Sequence, residues 1–151
     1  MGLILSNLSR LNLGHPSKLN PGDHIIGNRA GILYSHHGIY VGDGMVIHLM
    51  PAEKKGENKS VSLCRNCGYS RDQHSGIIKT CLDCFLDGNI LFIFNHPIPC
   101  RPPDDVIRIA TEFLQGKRDF GAYNVVFNNC EDFASYCKTG VRISYQRSGG
   151  F

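Results

Sequence analysis

Residues 35–50 read Ser-His-His-Gly-Ile-Tyr-Val-Gly-Asp-Gly-Met-Val-Ile-His-Leu-Met. Two runs rich in Ile, Val and Tyr flank Asp43-Gly44, and Asp-Gly between such runs signals a hairpin, because a two-residue turn needs positive φ at both central positions. The spacing predicts antiparallel strands over 33–42 and 45–50, preceded by a strand at 23–27 and followed by another where apolar sequence resumes at Ile90-Leu91-Phe92-Ile93-Phe94. Strand alternation puts His36, Gly38 and Tyr40 on one face and His37, Ile39 and Val41 on the other. Only one of the two adjacent histidines can therefore face a given site.

On the N-terminal side, residues 1–20 carry no clear periodicity and end in the turn signal Pro21-Gly22-Asp23, so residues 1–18 are expected to be a flexible N-terminus and the domain to run over 19–151. On the C-terminal side, Pro51–Ser62 is polar and lysine-rich and leads into a cysteine region, which makes 51–88 read as an insertion between strands. Two helices follow. Val106, Ile109, Ala110, Phe113 and Leu114 stand at helical spacing within 104–115, with Pro102 and Pro103 before them and Gly116 after. Asn129–Lys138 opens on an Asn cap and the acids Glu131 and Asp132, and closes at Gly140.

The chain has 151 residues, 42% of them hydrophobic and 19% charged. That size suits one domain around one core, and the composition excludes a disordered tail, a coiled coil and a collagen-like repeat. A net charge of +3 falls far short of the dense basic face that nucleic-acid binding requires. Apolar runs such as 90–94 are about a quarter of the ~20 residues that cross a bilayer, and 1–13 lacks the basic start and long apolar run of a signal peptide. A cytoplasmic protein is expected.

Chemistry concentrates in the cysteines. Cys130 stands at the opening of the second helix, where unpaired N–H groups favour a thiolate, although Glu131 and Asp132 oppose that effect and a cysteine on such a helix is commonly a small buried hydrophobe. With His36 and His48 on successive strands, it fits a nucleophile, a base and an orienting group. Cys64-x-x-Cys67 and Cys81-x-x-Cys84, thirteen residues apart (68–80), can close a tetrahedral zinc site with no open position, which reads as structural. The other readings of the same pairs are reduced surface thiols or a redox disulfide. Cys100 and Cys137 read as packing residues, and His74, between the pairs, is assigned no role. Gly2 followed by Ser6 matches a myristoylation pattern, and one such chain would give only marginal, reversible membrane contact.

The segments Pro21-Gly22-Asp23-His24-Ile25, His36-His37-Gly38-Ile39-Tyr40-Val41-Gly42, Val46-Ile47-His48-Leu49 and Asn129-Cys130-Glu131-Asp132-Phe133 resemble the lecithin:retinol acyltransferase family, in order and spacing, over residues 19 to about 145. The insertion with Cys81-Leu82-Asp83-Cys84-Phe85-Leu86 resembles more narrowly the plant branch, the NC-domain or lead-sensitive proteins. The resemblance implies an α+β, circularly permuted papain-like fold with an inserted four-cysteine zinc knuckle. It implies Cys130 as nucleophile, His36 as general base and His48 as the residue orienting that base, with no cofactor in the chemistry. It further implies a thiol acyltransferase or acyl hydrolase that takes an acyl chain from a phospholipid through a thioester.

Three departures from the animal enzymes stand out: His37 where they often carry a bulky apolar residue, Asp132 in place of the His of their Asn-Cys-Glu-His motif, and no hydrophobic C-terminal anchor. Ending at Phe151, the chain is expected to be a short form. A non-catalytic lipid- or protein-binding module on the same scaffold is the opposing class, and a thiol peptidase a third.

Overall fold

The computed structural model describes residues 11–28, 35–51, 63–70, 76–121 and 129–142. The hairpin forms as its sequence dictates. Strands β3 (Ser35–Gly42) and β4 (Met45–Met50) pair antiparallel through Ile39 and Ile47, and the two turn residues Asp43 and Gly44 adopt φ of 54° and 72°. Both lie in the left-handed region that a tight hairpin turn requires.

Around this hairpin an antiparallel sheet of six strands assembles among the described residues in the order β1-β6-β2-β3-β4-β5, with β1 Leu11–Leu13, β2 His24–Asn28, β5 Gly76–Cys81 and β6 Ile90–Phe94. Three α-helices within the same residues accompany it: α1 (Leu82–Leu86), α2 (Pro103–Leu114) and α3 (Cys130–Thr139). The fold is α+β.

Helix α2 begins at Pro103, whose missing N–H costs nothing at a first helical position, and carries Asp104 and Asp105 in its first turn. Its buried stripe of Val106, Ile109, Ala110 and Phe113 meets Phe133, Ala134 and Cys137 of α3 on the sheet face that bears Ile39, Ile47 and Leu49. On the opposite face Leu82 and Phe85 of α1 pack with Ile25, Val46 and Leu91. Ile25 and Ile26 are consecutive yet both buried, because β2 is covered from both sides.

Two differences from expectation have local causes. Within the span read as a flexible N-terminus, Leu11–Leu13 instead pair with Phe92–Phe94 of β6 as an edge strand. Three residues are too few for a period of two to register. Within the span read as an insertion, Gly76–Cys81 extend the sheet beside β4, and Leu82–Leu86 form α1. There the edge of β4 makes a strand of residues whose own short pattern does not demand one.

Candidate active site and thiolate centre

His36 and His48 lie on the face packed by α1. Their rings meet edge to face, with His36 Nε2 2.8 Å from His48 Nδ1. His48 Nε2 is in turn 2.9 Å from Thr80 Oγ1, and the Thr80 hydroxyl donates to the Cys81 carbonyl at 3.1 Å. One proton order satisfies all three contacts. With the Thr80 proton on the carbonyl, its oxygen accepts from His48 Nε2–H; His48 Nδ1 then accepts from His36 Nε2–H, and the lone pair of His36 is at Nδ1.

Burial pushes His36 down to about 4 and His48 well below the ordinary imidazole range, the latter helped by the neighbouring His36. Both rings are neutral at pH 7. The ring of Phe85 covers them, 4.8 Å from the His36 centroid and 5.1 Å from that of His48.

Cys130 is the first residue of α3, and the Asn129 side chain caps that helix by accepting from the Asp132 N–H at 2.9 Å. The thiol is 3% exposed and points to the Ser35 carbonyl at 3.6 Å. Ser35 is the first residue of β3, and His36 follows it. The structure thus joins His36 to His48 directly and brings Cys130 to the end of the strand on which His36 stands, with α3 packed on the other face of that strand.

A second histidine row lies on the α3 side. His24 Nε2 is 2.8 Å from His37 Nδ1, His24 Nδ1 is 2.7 Å from His96 Nε2, and His37 Nε2 is 4.0 Å from Glu131 Oε2. Burial holds His37 near 3 and His24 well below its usual value, with the neighbouring imidazoles adding to the shift. No role for these residues is legible in the sequence. The available signal was alternation, which sends His37 with Ile39 into the core, where an imidazole needs a partner.

The four cysteines of the two pairs converge. Their Sγ atoms all lie within 4.8 Å of one another, with Cys64 to Cys81 at 3.9 Å and Cys67 to Cys84 at 3.7 Å. A tetrahedron with metal–sulfur bonds of about 2.3 Å has edges of about 3.8 Å, whereas a disulfide would need about 2.05 Å, so the spacing fits one four-coordinate ion. Backbone N–H groups of Cys67 and Asn66 aimed at Cys64 pull its thiol down to about 6, while burial pushes Cys81 and Cys84 up. A cation would let all four ionise together.

The remaining cysteines separate. Cys137 is buried beside Phe133, as expected, and burial raises its thiol. Cys100 is exposed, near the Ile98 carbonyl at 3.7 Å, and so is not a packing residue: the proline-rich connection that carries it runs along the surface. His74 and Gly2 lie outside the described residues.

The family model described as lecithin retinol acyltransferase matches residues 17–143. Protein LEAD-SENSITIVE 1 of Arabidopsis thaliana is 33% identical over 181 residues, covering 99% of this chain and 66% of that protein. Human phospholipase A and acyltransferase 1 is 30% identical over 139 residues, 89% of this chain and 76% of that protein. Human lecithin retinol acyltransferase is 31% identical over 129 residues, 74% of this chain and 52% of that protein. The match thus spans only part of each relative's length. The chain belongs to the lecithin retinol acyltransferase family.

Proposed function

We propose that this member of the family is a thiol acyltransferase or acyl hydrolase that takes an acyl chain from a phospholipid through a thioester on Cys130. The observation that carries the reading is the hydrogen-bond chain Thr80–His48–His36, which leaves His36 with its lone pair on Nδ1 and a neutral ring at pH 7. A neutral imidazole held in one tautomer is what a general base requires.

In the proposed reaction the Cys130 thiol gives its proton to His36 Nδ1, and the thiolate attacks the ester carbonyl of the lipid. The first-turn N–H groups of α3 stabilise the oxyanion that forms. As the carbon–oxygen bond breaks, the leaving alkoxide recovers the proton from His36. Water, an alcohol or an amine then gives its proton to His36 as it attacks the thioester, and the thiolate released as the carbon–sulfur bond breaks takes that proton back. His48 orients His36, with Thr80 behind it. A papain-like chain order, permuted so that the histidine strands precede the cysteine helix, is part of the same proposal. Relatives named as phospholipase A and acyltransferase, and as lecithin retinol acyltransferase, support the lipid class of the donor.

Zinc is the ion we assign to Cys64, Cys67, Cys81 and Cys84, where it would supply local folding and no step of the chemistry. The test is incubation of the purified chain with a phospholipid labelled in its acyl chain, followed by intact-mass analysis. An acyl adduct on Cys130, absent from Cys130→Ala, is expected. Full turnover by Cys130→Ala would refute the reading.

A further inference from the structure

Phe85 packs on both rings of the histidine pair, Thr80 meets His48, and the two belong to the same short segment. Thr80 lies near the end of β5, one residue before Cys81, and Phe85 follows Cys84 in α1. Both are buried. Phe85 is seated against the backbone of β3 at Gly38, where a Cβ would come within 2.7 Å of Phe85 Cε1, 2.7 Å of Val46 Cγ1 and 3.2 Å of His48 Cβ. The glycine makes room for the ring between the two histidine-bearing strands. The helical part, α1, has little of its own to hold it: it is five residues long, far below the length at which a helix is stable alone. The fixed points of the segment are the pairing of Thr80 with Val46 and of Cys81 with Met45 in the sheet, the Leu82 N–H to the Gly44 carbonyl at 2.9 Å, its apolar contacts, and the two thiols that meet Cys64 and Cys67.

We propose that the four-thiolate site is the support of the histidine pair, acting through Phe85 and Thr80 as positioning residues. Cys81 and Cys84 both lie between Thr80 and Phe85, so an ion shared with Cys64 and Cys67 clamps the stretch that joins the two contacts. Thr80 fixes the proton pattern of His48 by accepting from its Nε2–H. Phe85 fixes the ring planes of His36 and His48 by filling the space beside them. Release of the ion frees α1 and loosens the end of β5, and lets both imidazoles exchange tautomers, while leaving the His24–His37–His96 row, on the other face of the sheet, in place. The consequence for Cys130 rests on the proposed role of His36; the consequence for the histidines themselves does not.

The experiment uses the full chain loaded with zinc, stripped by a chelator and reloaded with zinc chloride. It has two readouts: the side-chain nitrogen NMR spectra of the histidines, which report tautomer, and the rate of Cys130 alkylation by iodoacetamide. Stripping, and Phe85→Ala in the loaded chain, are expected to replace the single tautomers of His36 and His48 by averaged ones. They are also expected to slow alkylation about tenfold, a fraction of what a general base contributes. Zinc chloride restores the stripped chain but not Phe85→Ala, Phe85→Leu retains the wild-type pattern, and Thr80→Ser retains what Thr80→Val loses.

Unchanged tautomers after zinc release would overturn the proposal. So would simultaneous loss of the His24, His37 and His96 signals, since the ion would then hold the whole fold and not the pair. An alkylation rate untouched by His36→Ala, with the tautomers still responding to zinc, would sink the catalytic reading and leave the support standing.

Discussion

Replacing His37 by phenylalanine should make the protein measurably more resistant to acid. His37 is buried and held near 3, against an ordinary imidazole value of 6.5. The folded chain keeps this ring neutral while the unfolded chain protonates it, so its share of stability is full above about 6.5 and falls as pH drops toward the folded value. Between pH 6 and 5 the unfolded ring is mostly charged and the folded one is not, which gives a slope of ~1.4 kcal/mol per pH unit for each such group. His24, His36 and His48 are depressed in the same direction. Four such groups give a wild-type slope of roughly 5 kcal/mol per pH unit, large against the roughly 5–15 kcal/mol that holds a domain together. With a cation held by the four cysteines, protons competing for those ligands would add to the wild-type slope. Urea unfolding of wild type and His37→Phe at pH 7.5, 6.0, 5.5 and 5.0 removes that contribution, because both chains share the centre. The difference in slope should be about one proton, or ~1.4 kcal/mol per pH unit, with the variant flatter. Absolute stability at pH 7.5 will fall somewhat, since His37 bonds His24, and only the slope decides. Parallel slopes would show that His37 is not held neutral by the fold.

Other outcomes follow from the same geometry. Gly38→Ala should lower stability by about 1–3 kcal/mol through the forced shift of Phe85 and Val46, checked by thermal unfolding. His36→Ala should reduce adduct formation on Cys130 by about 10²-fold or more, and His48→Ala by less, since a base transfers the proton and an orienting group supplies geometry; single-turnover kinetics with labelled phospholipid reads both. The chain purified without chelator should carry one zinc, and changing any one of Cys64, Cys67, Cys81 or Cys84 to Ser should release it, as metal analysis and hydrogen exchange over 63–70 and 82–86 would show.

What the sequence disclosed followed the strength of its local signals. Asp43-Gly44 between apolar runs can close only one way, and the β3–β4 hairpin formed there; the Pro-led, Gly-ended pattern around Val106 to Phe113 became α2, and the Asn129 cap became the start of α3. Leu11–Leu13 and Gly76–Cys81 were illegible for a different reason. Each is a strand because a neighbour offers an edge, Phe92–Phe94 for one and Met45–Met50 for the other, and no short pattern in its own residues demands it. The thiolate centre was legible because two Cys-x-x-Cys pairs restrict geometry strongly, and their convergence needs no knowledge of the sheet.

The histidines show where pattern reading stops. Alternation alone separates His36 from His37, since neighbours on a strand face opposite ways, and the structure sends one to His48 and the other to His24. It cannot say that both faces are covered. A sheet with one wet face would leave His36 hydrated and ordinarily basic, whereas α1 buries it and drives it to about 4. Such a ring takes a proton reluctantly, so the proposed transfer from Cys130 is favourable only if the thiolate is stabilised where it forms, at the first turn of α3 and beside the new imidazolium. In the proposed transfer the two helices would act on one proton from opposite sides of β3: α1 would keep His36 neutral and ready to accept, and α3 would supply the N–H groups that make the charge-separated pair attainable. Loosening α1 would hydrate His36 and raise its affinity for a proton, yet also free its tautomer. On this reasoning the alkylation rate of Cys130 in Phe85→Ala should fall at pH 7.5 while its dependence on pH moves to higher pH. A rate that falls with no such movement would mean that Phe85 matters for packing alone.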